Sequence, residues 1–143
     1  MRKRKRIKDL KIEEVMTRNV ITVGKDTRVK ELKELFDKYN FNAFPVVENQ
    51  ELVGIVTKLD FLKIFSTGLR FSFTGYWKLL AEKVEDVMGL AVITVQPKDD
   101  LKKAVEYMVE FKLRSLPVVD GKRLVGIVSR EDIMKHLLVE ENT

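Results

Sequence analysis

Short apolar blocks separated by polar turns occur twice along the chain, in the same order and at the same spacing. Val15-Met16 recurs as Val87-Met88, which defines an offset of 72 residues. When residues 15–66 are aligned on residues 87–138 without a gap, 18 of 52 positions are identical. Because the identities lie in apolar blocks and at isolated glycine and aspartate positions, the sequence predicts two copies of one supersecondary unit.

The first half of each copy combines a strand pattern with a helix pattern. A β-branched run, Val20–Val23 or Val92–Val95, predicts a short first strand. Apolar residues at helical spacing follow, and we expect Thr27 and Asp99, which stand just before them, to be the helix N-caps. The helical positions are Val29, Leu32, Phe36 and Tyr39 in the first copy and Leu101, Ala104, Val105, Met108 and Phe111 in the second.

The second half of each copy predicts a β-hairpin followed by a helix. Two apolar runs flank a polar turn, which in the second copy contains Asp120-Gly121, a strong hairpin signal. The predicted strands are Phe44–Val47, Leu52–Val56, Leu116–Val119 and Leu124–Val128, and the predicted final helices are Leu59–Phe65 and Glu131–Leu138. Each unit therefore has the order β-α-β-β-α.

This order predicts an α+β fold. One unit of about fifty residues cannot easily bury a core alone, so we expect the two to pack as a pseudo-twofold pair. The expected divisions are a basic arm over residues 1–10, repeats over 11–66 and 83–143, and an aromatic connector over 67–82. The rings of Phe71, Phe73, Tyr76 and Trp77 in that connector either pack on the helices or form an interaction surface.

Composition and charge narrow the class of protein. Hydrophobic residues make up 45% and charged residues 34%, and mean hydropathy is −0.15, which excludes a disordered or membrane-spanning chain. The absence of cysteine favours the cytoplasm. The net charge of +5 resides in the run from Arg2 to Arg6, since the remaining 22 basic residues balance 22 acidic ones. This arm is either a solvated terminus or a weak nucleic-acid contact.

No pattern in the sequence indicates catalysis. Nucleotide-binding glycine motifs of the Gly-x-Gly-x-x-Gly and phosphate-loop types are absent, as is His-Glu-x-x-His. His136 is the single histidine, and we expect it to interact with the C-terminal dipole of its helix rather than with a metal. We therefore predict neither a catalytic residue nor a metal site.

The sharpest local feature is the stretch from Gly54 to Asp60, which returns as Gly126 to Asp132. A hydroxyl residue followed three positions later by an acid is typical of a helix capping box, formed here by Thr57 with Asp60 or by Ser129 with Asp132. A helix N-terminus after a strand is also a ready anion site, so capping and phosphate binding are compatible interpretations.

The ordered blocks Val-Met, Ile-Thr-Val, Pro-Val-Val and Leu-Val-Gly-Ile-Val, present twice, resemble a tandem pair of CBS domains, often called a Bateman module. The resemblance implies a regulatory module that requires no cofactor and binds an adenine nucleotide such as AMP, ADP or ATP, or S-adenosylmethionine. It also implies that Asp60 and Asp132 accept hydrogen bonds from ribose hydroxyls. The regulated partner protein is not indicated.

The same resemblance assigns the other ligand-binding positions. Methionines at the entrance of the clefts are Met16 and Met88; the residues around adenine are Ile21, Ala43 and Ile127 in one cleft and Ile93, Ser115 and Ile55 in the other. Arg114 occupies a position where related nucleotide binders often carry a basic residue that contacts phosphate. The equivalent position in the first repeat is Asn42. Lys58 and Arg130 add positive potential. We therefore expect the Asp132 site to bind phosphate better.

Three functions remain open at this point: a nucleotide sensor, a ligand-free dimeric scaffold, and a nucleic-acid binder tuned by nucleotide. A homodimer is expected because the final helices carry many apolar residues. Those residues are Phe61, Leu62, Phe65, Ile133, Met134 and Leu137.

Overall fold

The α+β fold contains two β-hairpins, one in each sequence repeat. The computed structural model describes residues 7–66 and 82–140. Strands β1 (Ala43–Glu48) and β2 (Glu51–Thr57) pair antiparallel, and β3 (Ser115–Asp120) pairs in the same way with β4 (Arg123–Ser129). Each pair carries one irregularity, between the two valines that follow its proline. Both hairpins predicted from the sequence are confirmed.

Each hairpin lies between two helices in the chain. Helix α1 is Val29–Lys38 and α2 is Lys58–Ser66, whereas α3 is Leu101–Phe111 and α4 is Arg130–Glu140. Single turns of 3₁₀-helix cover Ile7–Asp9, Ile12–Glu14 and Val84–Asp86. Among the described helices, none has a run of apolar residues long enough to span a bilayer. The four helices predicted by spacing are confirmed. Residues 1–6 of the arm, and the aromatic rings of the connector, lie outside the described residues, whereas residues 7–10 of the arm are described.

The predicted first strands are each reduced to one bridging residue. Val23 forms a parallel bridge with Val46, and Val95 does the same with Val118. The chain then turns at once, because the next amide, that of Gly24 or Gln96, donates to a side chain three residues on. The prediction of extended strands over 20–23 and 92–95 was therefore wrong. The residue that does pair, Val23 or Val95, is the last one of each predicted run.

The predicted N-caps were also wrong by one position. Arg28 and Asp100 are the N-cap residues, and neither caps with its side chain. Thr27 and Asp99 close the preceding turns instead, by accepting the amides of Gly24 and Gln96 at 2.9 and 2.8 Å. The first amide of each helix, that of Val29 in α1 and that of Leu101 in α3, donates to a backbone carbonyl of a distant segment.

Those carbonyls belong to two segments, each of which lies at the start of one sequence repeat. We call them the first leading segment (residues 7–17) and the second leading segment (residues 82–89). Leu101 N–H donates to the Leu10 carbonyl at 2.8 Å, and Val29 N–H donates to the Glu82 carbonyl at 2.7 Å. Ile12 and Val84, equivalent residues of the two segments, are fully buried. Each leading segment thus caps a helix and fills part of a core.

The chain divides into two compact units that do not follow the sequence repeats. The described residues of one unit are 7–20 and 93–140, and those of the other are 21–66 and 82–92. The first leading segment therefore belongs to the unit built from the second repeat, and the second belongs to the unit built from the first. Fully buried core residues of the former are Ile12, Val95, Leu101, Leu116, Val118 and Val128. Their counterparts in the latter include Val29, Leu32, Phe44, Val46, Val56 and Val84.

Ion pairs join the first leading segment to its unit. Lys11 Nζ donates to Asp100 Oδ1 at 2.7 Å, and Lys98 Nζ lies 2.8 Å from Glu13 Oε1. The Asp100 carboxylate, through this hydrogen bond and its charge, raises the pKa of Lys11. Because Lys11 and Asp100 are both exposed to solvent, we assign the docking of the segment mainly to its buried apolar residues.

Candidate functional site

The two aspartates singled out in the sequence stand at the starts of α2 and α4. Thr57 N–H donates to Asp60 Oδ2 at 2.9 Å, and Asp60 N–H donates to Thr57 Oγ1 at 3.0 Å. Ser129 and Asp132 make the same reciprocal pair at 3.0 and 3.1 Å. The capping boxes are therefore confirmed. Since each hydroxyl accepts an amide, its own hydrogen can still donate to a ligand.

The residues before β1 and β3 reach the same helix starts through the backbone. Lys58 N–H donates to the Asn42 carbonyl at 2.9 Å, and Arg130 N–H donates to the Arg114 carbonyl at 3.0 Å. Arg130 Nε also donates to the Leu113 carbonyl at 2.8 Å. The charge difference between Arg114 and Asn42 therefore lies beside the two helix N-termini, and Arg114 is exposed.

The registers of the hairpins place two further predicted residues beside the hydroxyls. Ala43 is opposite Thr57 across β1 and β2, and Ser115 is opposite Ser129 across β3 and β4. All four side chains are half-buried. Each unit thus groups a hydroxyl, a carboxylate and a small residue at one end of its hairpin.

The predicted apolar residues are not fully buried core positions. Each keeps part of its surface exposed, in contrast to their fully buried neighbours Val56 and Val128. These half-buried residues are Ile21, Ile55, Ile93 and Ile127. The described structure places Ile127 with Ser129 and Asp132 in one unit, and Ile55 with Thr57 and Asp60 in the other. Partial exposure leaves these side chains able to contact a ligand.

Met16 has a packing role in the structure. Its side chain is buried at 9% exposure in the core, and its equivalent Met88 is half-buried. A Cβ on Gly126 would lie 2.6 Å from Met16 Sδ, and a Cβ on Gly54 would lie 2.8 Å from Met88 Sδ. The two glycines therefore make room for the methionine sulfur, and the assignment of Met16 to the cleft entrance stays a prediction.

His136 lies one helical turn after Asp132 on α4. Its Nδ1 is 2.9 Å from the Asp132 carbonyl oxygen, so with that nitrogen protonated the ring donates to the helix backbone. The bond therefore goes back along the helix, and α4 continues for four residues beyond His136. The interaction of His136 with the C-terminal dipole of the helix stays a prediction.

The residue beside Asp132 that sequence reasoning missed is Thr17. Its Oγ1 lies 3.4 Å from Asp132 Oδ2 and 3.5 Å from Oδ1. In the repeat alignment, Thr17 corresponds to Gly89. The one signal available was this change from Val-Met-Thr to Val-Met-Gly within an otherwise matching block.

Comparison with known proteins identifies the family. The family model of the CBS domain matches residues 12–67 and again residues 84–139, which is most of the chain. The chain belongs to the CBS-domain family. The tandem CBS pair and its α+β fold, expected from the repeated motifs, are thereby confirmed.

Solved CBS structures resemble the chain over nearly its whole length. MJ1225 of Methanocaldococcus jannaschii, proposed as an archaeal homologue of g-AMPK, has a TM-score of 0.82 at 32% identity, covering 91% of this chain and 48% of that one. CBSX2 of Arabidopsis thaliana in complex with AMP has a TM-score of 0.78 at 27% identity, covering 92% of this chain and 98% of that one. The CBS domain pair of MJ0100, in complex with 5′-methylthioadenosine and S-adenosyl-L-methionine, has a TM-score of 0.75 at 25% identity, covering 92% and 98%.

Several curated relatives are longer proteins than this chain. The chain is 34% identical to MJ1225 over 129 residues, covering 87% of this chain and 46% of MJ1225. It spans 23% of an inosine-5′-monophosphate dehydrogenase from the same organism. The match to that enzyme therefore covers a minor part of its length.

Proposed function

We propose that the protein is a regulatory CBS pair that binds an adenine nucleotide and passes the signal to a partner protein without catalysing a reaction. The carrying observation is the duplicated, half-buried aspartate fixed at a helix start by its own capping box. A carboxylate held in this way can accept both hydroxyls of a ribose. The AMP-bound CBSX2 and the MJ0100 pair, with its two adenosine derivatives, support this ligand class.

The proposal is tested by thermal unfolding in the presence of AMP, ADP, ATP and S-adenosylmethionine. A ligand that binds the folded state stabilises it by about 2.7 kcal/mol at 100 times its dissociation constant. We expect at least one of the four to raise the melting temperature in a concentration-dependent way. Guanosine monophosphate, which carries a different nucleobase, serves as the control. No shift with any adenine compound at millimolar concentration would contradict the proposal.

A second feature, the exposed apolar residues of the final helices, supports a homodimer. Leu59 and Leu62 on α2 are 61% and 59% exposed, and Met134 on α4 is 52% exposed. The expected contribution of Ile133 was wrong, because that side chain is buried at 5% exposure in the core. Phe61 and Leu137 are half-buried, and the side chain of Phe65 lies outside the described residues. The residues proposed for association are therefore Leu59 and Leu62 on α2 and, considered separately, Met134 on α4.

We expect sedimentation at micromolar concentration to give twice the chain mass of 16.6 kDa. Leu62→Glu should shift the protein to a monomer, because a buried unpaired charge opposes association. Val109→Glu is the matched control, since Val109 is 74% exposed on a different helix. A wild-type monomer, or equal effects of the two substitutions, would contradict association through the exposed residues of α2.

A further inference from the structure

The two proposed ribose-binding carboxylates differ in one neighbour. Both Asp60 and Asp132 accept the amide of their own capping box through Oδ2. Asp132 has in addition the Thr17 hydroxyl, 3.4 and 3.5 Å from its two oxygens. At the position equivalent to Thr17 the other unit has Gly89, which has no side chain to offer Asp60.

The backbone around these two positions is nevertheless the same. Thr17 N–H donates to the Ile127 carbonyl at 2.8 Å, and Ile127 N–H donates back at 2.9 Å. Gly89 and Ile55 exchange the same two hydrogen bonds at 2.8 and 3.0 Å. Thr17 is therefore fixed to β4 as Gly89 is fixed to β2. The difference between the two sites is reduced to the side chain.

The distances show that the Thr17 hydroxyl has spare hydrogen-bonding capacity. Hydrogen bonds between hydroxyl and carboxylate oxygens are usually 2.5–2.7 Å long, so contacts of 3.4 and 3.5 Å are loose. Thr17 is exposed and Asp132 is half-buried, which leaves room for a polar ligand group beside both. A ribose hydroxyl that donates to Asp132 keeps its lone pairs, and the Thr17 O–H can donate to them.

We propose that Thr17 is a specificity-determining residue that makes the Asp132 site more selective for an intact ribose than the Asp60 site. A ribose hydroxyl there would donate to Asp132 and accept from Thr17, so that two normal hydrogen bonds replace one loose contact. A deoxyribose that lacks this hydroxyl would leave Thr17 with only its loose contact to Asp132. The inference rests on the proposed binding of adenine nucleotides and adds which site distinguishes the sugar.

The test measures binding of AMP, 2′-deoxy-AMP and 3′-deoxy-AMP by calorimetry, in an Asp60→Asn background that leaves the Asp132 site intact. Asparagine keeps an oxygen that accepts the Thr57 amide, so the cap is retained. We expect Thr17→Val to weaken AMP binding about two- to tenfold, the range for one hydrogen bond, and to leave the affinity for one of the two deoxynucleotides unchanged. Thr17→Ser, which retains a hydroxyl, should bind AMP like the parent.

The reciprocal variant adds the hydroxyl to the other site. A Cβ on Gly89 would meet only the Ile55 carbonyl oxygen within 4 Å, at an ordinary 3.8 Å, so Gly89→Thr has room. In an Asp132→Asn background, this substitution should strengthen AMP binding by a similar factor and sharpen discrimination against the same deoxynucleotide.

The outcomes separate this inference from the proposed function. If the wild-type chain binds AMP but Thr17→Val weakens all three nucleotides equally, the residue is only structural and the inference is wrong. Tighter AMP binding by Thr17→Val would mean that the hydroxyl competes with ribose, which also overturns it. Absence of AMP binding to the wild-type protein would overturn the role of Thr17, and absence of binding by all the adenine compounds would overturn the proposed function as well.

Discussion

Replacing Gly126 with alanine should lower the stability of the protein by about 1–3 kcal/mol, the usual range for overpacking a filled core. The new Cβ would lie 2.6 Å from Met16 Sδ and 2.9 Å from the Thr17 carbonyl oxygen. The sulfur is the end of a flexible side chain and can move, but that carbonyl accepts the Ile127 amide and is held in place. We expect the first leading segment to be displaced from β4, with a fall in melting temperature of roughly 4–12 °C in circular dichroism.

Two other glycines provide the comparison. Gly54→Ala should have a similar cost, because its Cβ would lie 2.9 Å from the Gly89 carbonyl oxygen. Gly24→Ala should be close to neutral, since the nearest atom, Thr27 Oγ1, would be 3.8 Å away. If Gly126→Ala melts at the same temperature as Gly24→Ala, the close approach of the leading segment to β4 is not a constraint on the fold.

Asp132→Ala should weaken adenine-nucleotide binding more than Asp60→Ala. Hydrogen bonds to a charged group contribute about 1.5–3 kcal/mol, so each loss corresponds to roughly 10- to 150-fold at the affected site. Arg114, which precedes β3 and is joined through its carbonyl to the start of α4, is predicted to donate to phosphate beside Asp132. Its equivalent beside Asp60 is Asn42. Calorimetric titration of AMP should show the tighter phase disappear in Asp132→Ala alone.

Arg114→Asn is the variant that isolates the cause of this asymmetry. It gives the Asp132 site the same residue as the Asp60 site, and it should bring the two affinities closer together without touching either capping box. Both aspartate substitutions also remove a cap, which costs about 0.5–2 kcal/mol of stability, so binding is measured well below the melting temperature of each variant. Equal losses of affinity in the two aspartate variants would remove the asymmetry.

The parts of the fold that were predictable are those determined by neighbours in sequence. Asp120-Gly121 specifies a hairpin turn, and Gly121 adopts a φ of 66° there, which glycine permits without strain. The capping boxes of α2 and α4 join residues three positions apart, so the spacing of Thr57 and Asp60 was sufficient evidence. Such contacts follow from local rules.

The parts that were not predictable depend on residues far apart in the chain. The Leu101 amide donates to the carbonyl of Leu10, which is far away in the sequence. A search for a capping side chain next to the helix therefore selected Asp99, which accepts the amide of Gln96 instead. Thr17 and Asp132 are 115 positions apart, and no periodicity links them. The roles of Arg114 and of the isoleucines stay predictions, since the structure shows their positions and not a bound nucleotide.

The exchange of leading segments means that neither half of the gene encodes a complete folding unit. A break anywhere between Ser66 and Glu82 would give two fragments, each with the main part of one unit and the capping segment of the other. Each fragment alone would leave the first amide of a helix unpaired and a core without Ile12 or Val84. The two fragments together would restore both units. A chain with a single repeat would need a second copy of itself to supply the segment that completes its unit.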